Sequence, residues 1–172
     1  FNDARLDLAV DQAIASKFRS LGQTCVCANR LYVQSSVYDN FVKAFADKVH
    51  QFKIGNGFDD GVTHGCLINT KAIDKVEEHV KDAVSKGAEV VVKGGALNHL
   101  GKHFYAPYVL SNITNDMKVV HEETFGPLAA IVKFDTKEEV IKHCNDTPYG
   151  LAAYVFSESL NTVYTVSEAL ET

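Results

Sequence analysis

Leu128-Ala129-Ala130-Ile131-Val132-Lys133-Phe134, followed at once by Asp135-Thr136-Lys137-Glu138-Glu139, sets how the rest of the chain is read. The first part is a short apolar run and reads as a strand. The second is a capping box: Thr136 caps a helix and Glu139 reaches back to the cap, with the helix running to about Asn145. Working outward, strand and helix alternate. Downstream, Leu151–Phe156 reads as a strand and Leu160–Leu170 as a helix. Upstream, Tyr108–Leu110 and Lys118–Val120 are short strand candidates. Ala88–Val92 reads as a buried strand, closed by Gly94-Gly95.

Further toward the amino terminus, Asn69 is the expected N-cap of a helix carrying Ile73, Val76, Val80 and Val84, with Gly87 at its carboxyl end. A helix after Ser35-Ser36 carries the stripe Val37, Phe41, Phe45, Val49 and Phe52. Arg30–Gln34 reads as a strand because Tyr32 and Val33 favour a pleated surface. Residues 3–20 repeat apolar side chains at three- and four-residue steps (Leu6, Val10, Ala13, Ile14, Phe18), with Asp3 as the expected N-cap. The alternation predicts an α/β fold, a mostly parallel sheet flanked by helices in three layers.

Composition narrows the function. The 172 residues are 46% apolar and 23% charged, ordinary for one globular domain. A chain of this size buries on the order of 70% of its unfolded surface, so a core forms without disulfides or metals. The net charge of -5 argues against a nucleic-acid partner. No run approaches the roughly 18 apolar residues of a membrane span. Cys25, Cys27, Cys66 and Cys144 form no dense disulfide framework, and reduced thiols are expected. Cys25 and Cys27 with His64 or His121 do not make a zinc pattern, and His79, His99 and His103 are scattered, mostly on the surface by this reading. No structural metal is expected.

Phe18-Arg19-Ser20-Leu21-Gly22-Gln23-Thr24-Cys25-Val26-Cys27 carries the chemistry. A cysteine in a glycine-containing loop after a helix can expose its sulfur while backbone N–H groups face an oxyanion. Spacing alone leaves it open between a nucleophile and a packed small hydrophobe. Gly22-Gln23-Thr24-Cys25 resembles the active-site cysteine motif of the aldehyde dehydrogenases. Glu122-Glu123-Thr124-Phe125-Gly126-Pro127 resembles the second motif of that superfamily. Asn145-Asp146-Thr147-Pro148-Tyr149-Gly150-Leu151-Ala152-Ala153 resembles a third, in the same order and spacing. Gln23–Arg30, and more loosely Thr63–Cys66 and Asn161–Thr172, are most similar to the succinate-semialdehyde branch, fungal members included.

That resemblance implies a role for each matching residue. Cys25 attacks the aldehyde carbonyl, and the thiohemiacetal loses hydride to NAD or NADP to leave a thioester that water hydrolyses. Glu123 hydrogen-bonds the nicotinamide ribose and Phe125 lies beside it. Arg19 pairs with the distal carboxylate of succinate semialdehyde, a task its planar fork suits. Cys27 forms a reversible disulfide with Cys25, as in some relatives. Cys66 stands where many relatives carry proline and is read as structural. None of Glu77, Glu78 or Glu139 stands in the motif context of a general base.

The resemblance also implies that residues 1–172 are a cysteine-bearing catalytic domain truncated at both ends. The cofactor-binding domain, general-base glutamate and oxyanion asparagine would lie upstream. Such a piece alone is expected not to turn over aldehyde. The parent is expected to be a homodimer or homotetramer, cytoplasmic or mitochondrial. Another aldehyde as substrate, or a non-catalytic interaction module on the same fold, are the competing readings.

Overall fold

The computed structural model describes residues 1–171. Thr172, which ends both the carboxy-terminal resemblance and the expected domain, lies outside the described residues. The chain runs α1 (Leu6–Phe18), β1 (Arg30–Gln34), α2 (Tyr38–Val49), α3 (Thr70–Ser85), β2 (Glu89–Val92), β3 (Gly95–Ala96), β4 (Tyr105–Ala106), β5 (Tyr108–Ile113), α4 (Lys118–His121), β6 (Leu128–Phe134), α5 (Lys137–Asn145) and α6 (Leu160–Ala169).

Four strands form one sheet in the order β1-β6-β5-β2. β1 and β5 each pair with β6 in parallel, and β2 pairs antiparallel with β5. β6 is central, and six of its seven residues are buried. Successive residues alternate across the sheet. Leu128, Ala130 and Val132 meet Val76, Val80 and Ala83 of α3 on one face. Ala129 and Ile131 meet Val10, Ala13, Phe41 and Phe45 of α1 and α2 on the other. The result is the expected three-layer α/β arrangement. Tyr38 ties α2 to the sheet: its hydroxyl donates to the Ile131 carbonyl at 2.9 Å and accepts from the Asn112 N–H at 3.0 Å.

The local signals at several element ends are realised. The Thr136–Glu139 capping box is complete, and the Asn69 side chain accepts from the Ala72 N–H. Gly87 follows α3 at a φ of +99°, which L side chains rarely adopt.

Other expectations are corrected. α1 begins at Leu6 after Arg5, not at an Asp3 cap. The Asp3 carboxylate instead accepts from the Ser157 hydroxyl and the Ser159 N–H, across the whole chain length. Lys118–Val120 is helical, the single turn α4, because two adjacent valines carry no period. Leu151–Phe156 forms no strand among the described residues, since no neighbouring segment offers it a ladder. β2 is not buried. It is the sheet edge, with Glu89 and Val90 exposed. No helix among the described residues is long and apolar enough to cross a membrane.

Candidate active site

α1 ends in a reversal that aims the cysteine loop. Ser20, Leu21 and Gly22 take φ values of +48°, +55° and +76°, three successive residues in the left-handed region. For the two non-glycines this costs roughly 1–2 kcal/mol each, and the burial of Leu21 in the core offsets it. Gly22 is required twice over. Besides its φ, a Cβ there would stand 2.2 Å from the Gly126 carbonyl oxygen. The first and second motifs therefore touch, backbone to backbone.

More contacts lock the two together. The Thr124 N–H donates to the Asn29 side-chain oxygen at 2.9 Å. Gln23 bridges to the loop before α3, accepting from the Ile68 N–H at 2.8 Å. The Cys27 N–H closes a turn onto the Thr24 carbonyl at 2.9 Å. That turn splits the two sulfurs. Cys25 is exposed and Cys27 is buried, its thiol donating to the Arg19 carbonyl at 3.6 Å. Cys66, read as structural, is exposed, and its carbonyl accepts weakly from the Gln23 amide at 3.5 Å.

Cys25, Cys27, Glu122 and Glu123 line one cavity of about 650 Å³, together with Tyr149 of the third motif and Tyr154 just beyond it. The Tyr154 hydroxyl donates to the Val26 carbonyl at 3.0 Å, tying the segment that follows the third motif to the cysteine turn. Along Glu122–Gly126 exposure alternates: Glu123 and Phe125 are exposed, Thr124 and Gly126 buried. The segment thus presents a carboxylate and an aromatic ring outward from a fixed backbone. Phe125 and Arg19 do not line the cavity itself. Arg19 caps α1 as an exposed side chain, and among the described residues no carboxylate lies within salt-bridge distance of it.

Two buried ionisable groups beside the site escaped the sequence reading. Lys17, in the last turn of α1, is fully buried, and its Nζ has no hydrogen-bond partner among the described residues. Burial pushes its ammonium down to about 8 from 10.5, against the opposing pull of Cys27 and Glu123. His79, expected on the surface, is wholly buried on α3. It contacts Thr124 Oγ1 at 2.7 Å and Glu122 Oε2 at 3.2 Å. Burial lowers its pKa below 6.5, with the Glu122 hydrogen bond working the other way. The Lys75 ammonium, and then the His79 ring, hold the Glu122 carboxyl down at about 2. A helical spacing signal was present in both cases: Lys17 follows Val10 and Ala13, and His79 lies between Val76, Val80 and Ala83, on the faces that pack. Among the described residues no group of three or more His, Cys, Asp or Glu side chains is placed to hold a metal ion.

Known proteins share this arrangement. The profile of the aldehyde dehydrogenase family matches residues 1–172. The chain is 60% identical over 172 residues to the succinate-semialdehyde dehydrogenase [NADP(+)] of Saccharomyces cerevisiae, covering 100% of this chain and 35% of that protein. It is 52% identical to the mitochondrial succinate-semialdehyde dehydrogenase of Homo sapiens, covering 99% of this chain and 32% of the relative. The crystal structure of succinate-semialdehyde dehydrogenase from Burkholderia pseudomallei superposes with a TM-score of 0.96 at 49% identity, over 99% of this chain and 35% of that one. The chain thus spans about a third of the length of the relatives it matches. Matched over residues 1–172 by the family profile and sharing its fold with these relatives, the chain belongs to the aldehyde dehydrogenase family.

Proposed function

We propose that residues 1–172 form the cysteine-bearing catalytic domain of an enzyme that oxidises succinate semialdehyde to succinate with NAD+ or NADP+. The observation that carries this reading is the backbone contact between Gly22 and Gly126, which brings Cys25 and Glu123 to one cavity. Cys25 is the nucleophile. Its exposed sulfur attacks the aldehyde carbonyl carbon, forming a C–S bond, and the Cys25 N–H faces the resulting oxyanion. Glu123 and Phe125 fit a nicotinamide riboside: an outward carboxylate accepts from two ribose hydroxyls, and an exposed ring offers a flat apolar face. Bound there, that group supplies a hydride acceptor. Cys25 then carries the acyl group as a thioester until water releases it.

Arg19 supports the choice of substrate. A guanidinium with no carboxylate partner among the described residues, at the helix end from which the cysteine loop departs, is available to a second acid group. The NADP+ named for the yeast relative supports that cofactor among the two. Cytoplasm is the proposed compartment, with the mitochondrion of the human relative as the alternative. The complete enzyme is proposed to be a homodimer or homotetramer.

The test compares kcat/KM for succinate semialdehyde and butyraldehyde in the complete enzyme. The two aldehydes differ by the distal carboxylate. A charged contact of about 1.5–3 kcal/mol gives roughly a ten- to hundredfold preference. That preference should vanish in Arg19→Ala. Equal rates in the wild-type enzyme would remove the substrate assignment.

A further inference from the structure

We infer that His79 is a positioning residue that aims Glu123. This rests on the proposed role of Glu123 toward the cofactor and deepens it. His79 belongs to α3 and touches neither cavity nor cysteine. Its ring instead reaches the two residues that flank Glu123 in sequence, Glu122 and Thr124.

The tautomer follows from the partners. Glu122, held ionised, can only accept, so His79 Nε2 carries the proton and donates to it. Nδ1 of the neutral ring then accepts from the Thr124 hydroxyl at 2.7 Å. One imidazole thereby fixes two side chains that point to the α3 side. Glu122 is extended (φ -116°, ψ 140°), and successive side chains of extended backbone face opposite ways. Glu123 is thus turned away from α3, toward α1, where its charge is felt by Lys17. The second hold on the segment, from Thr124 N–H to Asn29, prevents it from sliding. With the ring removed, the Glu122 side chain keeps, among the described residues, the half-buried Lys75 ammonium alone, and Thr124 keeps its backbone bond. The carboxylate between them then loses its fixed direction.

The test measures the dissociation constant of NADPH by fluorescence titration of the complete enzyme, so that turnover plays no part. His79→Leu, which keeps the packing and removes both hydrogen bonds, should raise Kd about tenfold, the loss of roughly one net hydrogen bond of positioning. His79→Gln, which keeps a donor and an acceptor, should return Kd to within about twofold of wild type. The rate of Cys25 alkylation without cofactor should stay unchanged in both, which a general loosening of the fold would not allow. Should His79→Leu fail to fold, Thr124→Val removes one of the two bonds alone and should raise Kd about threefold. Glu123→Gln separates the inference from the reading beneath it. If Glu123→Gln weakens NADPH binding while His79→Leu, or Thr124→Val in its place, does not, the positioning role is overturned and the cofactor role stands. If Glu123→Gln binds NADPH as wild type does, both are overturned.

Discussion

Replacing Lys17 by methionine should make the protein more stable, and the gain should disappear as the pH is raised. Lys17 is fully buried with no hydrogen-bond partner among the described residues, and burial drives its ammonium from 10.5 down to about 8. At neutral pH the group is charged both folded and unfolded, so the folded state bears the full cost of a buried charge. At 1.36 kcal/mol per pH unit that cost is about 3 kcal/mol. Between pH 8 and 10.5 the unfolded chain still binds the proton and the folded chain has released it, so wild-type stability rises with pH. By pH 9.5 about 2 kcal/mol is recovered. Methionine has nearly the same shape and no charge, and the small void it leaves costs about 1 kcal/mol. Lys17→Met is therefore expected to exceed wild type by about 2 kcal/mol at pH 7 and to fall level with it near pH 9.5. Equilibrium urea unfolding followed by circular dichroism at the two pH values reads both numbers. A variant less stable than wild type at pH 7, or a difference that does not change with pH, would refute the reasoning and show that the ammonium has a favourable partner.

Gly22→Ala should destabilise the fold by about 1–2 kcal/mol from its positive φ, and further from the clash of the new Cβ with the Gly126 carbonyl. It should also slow alkylation of Cys25, because the new Cβ drives the cysteine loop off Gly126; an alkylation rate equal to wild type would show that this contact does not set the loop. Peroxide should inactivate the complete enzyme reversibly. It oxidises the Cys25 thiolate to a sulfenic acid, and the Cys27 thiol displaces water from that sulfur to give the disulfide. In Cys27→Ala excess peroxide carries the unpaired sulfenic acid on to sulfinic acid, so the loss of activity should no longer be recovered with dithiothreitol, and unchanged recovery would rule the pair out.

Much of the architecture was legible because it is written in local signals. β1 occupies the predicted residues Arg30–Gln34, and β6 the predicted Leu128–Phe134. Caps were equally readable, since Asn69 and Thr136 act within three residues of themselves. The errors fall where the outcome depends on remote partners. Leu151–Phe156 has the composition of a strand but no ladder among the described residues. Asp3 has the chemistry of a cap, but its carboxylate is taken by Ser157 and Ser159. Ala88–Val92 lies at the sheet edge because of strand order, which no single segment encodes. For the candidate site, the exposed residues Cys25, Glu123 and Phe125 were named through their motifs. Lys17 and His79 were not, because charge and polarity suggested solvent while their helical phase pointed inward. Phase was the better guide in both.

The parallel pairing of β1 with β6, Arg30 opposite Ala130, has a bearing on how this family tolerates change. Cys25 lies just ahead of one strand and Glu123 just ahead of the other. Their relative placement thus depends on the pairing of these two neighbouring strands and not on the hundred or so residues of chain between them. Lengthening the turn at 55–62 or the β3–β4 hairpin adds chain without moving either strand. Such insertions should leave the geometry at the cysteine intact, whereas the deletion of a single residue between Cys25 and Arg30 shifts the nucleophile against the ladder and should abolish it.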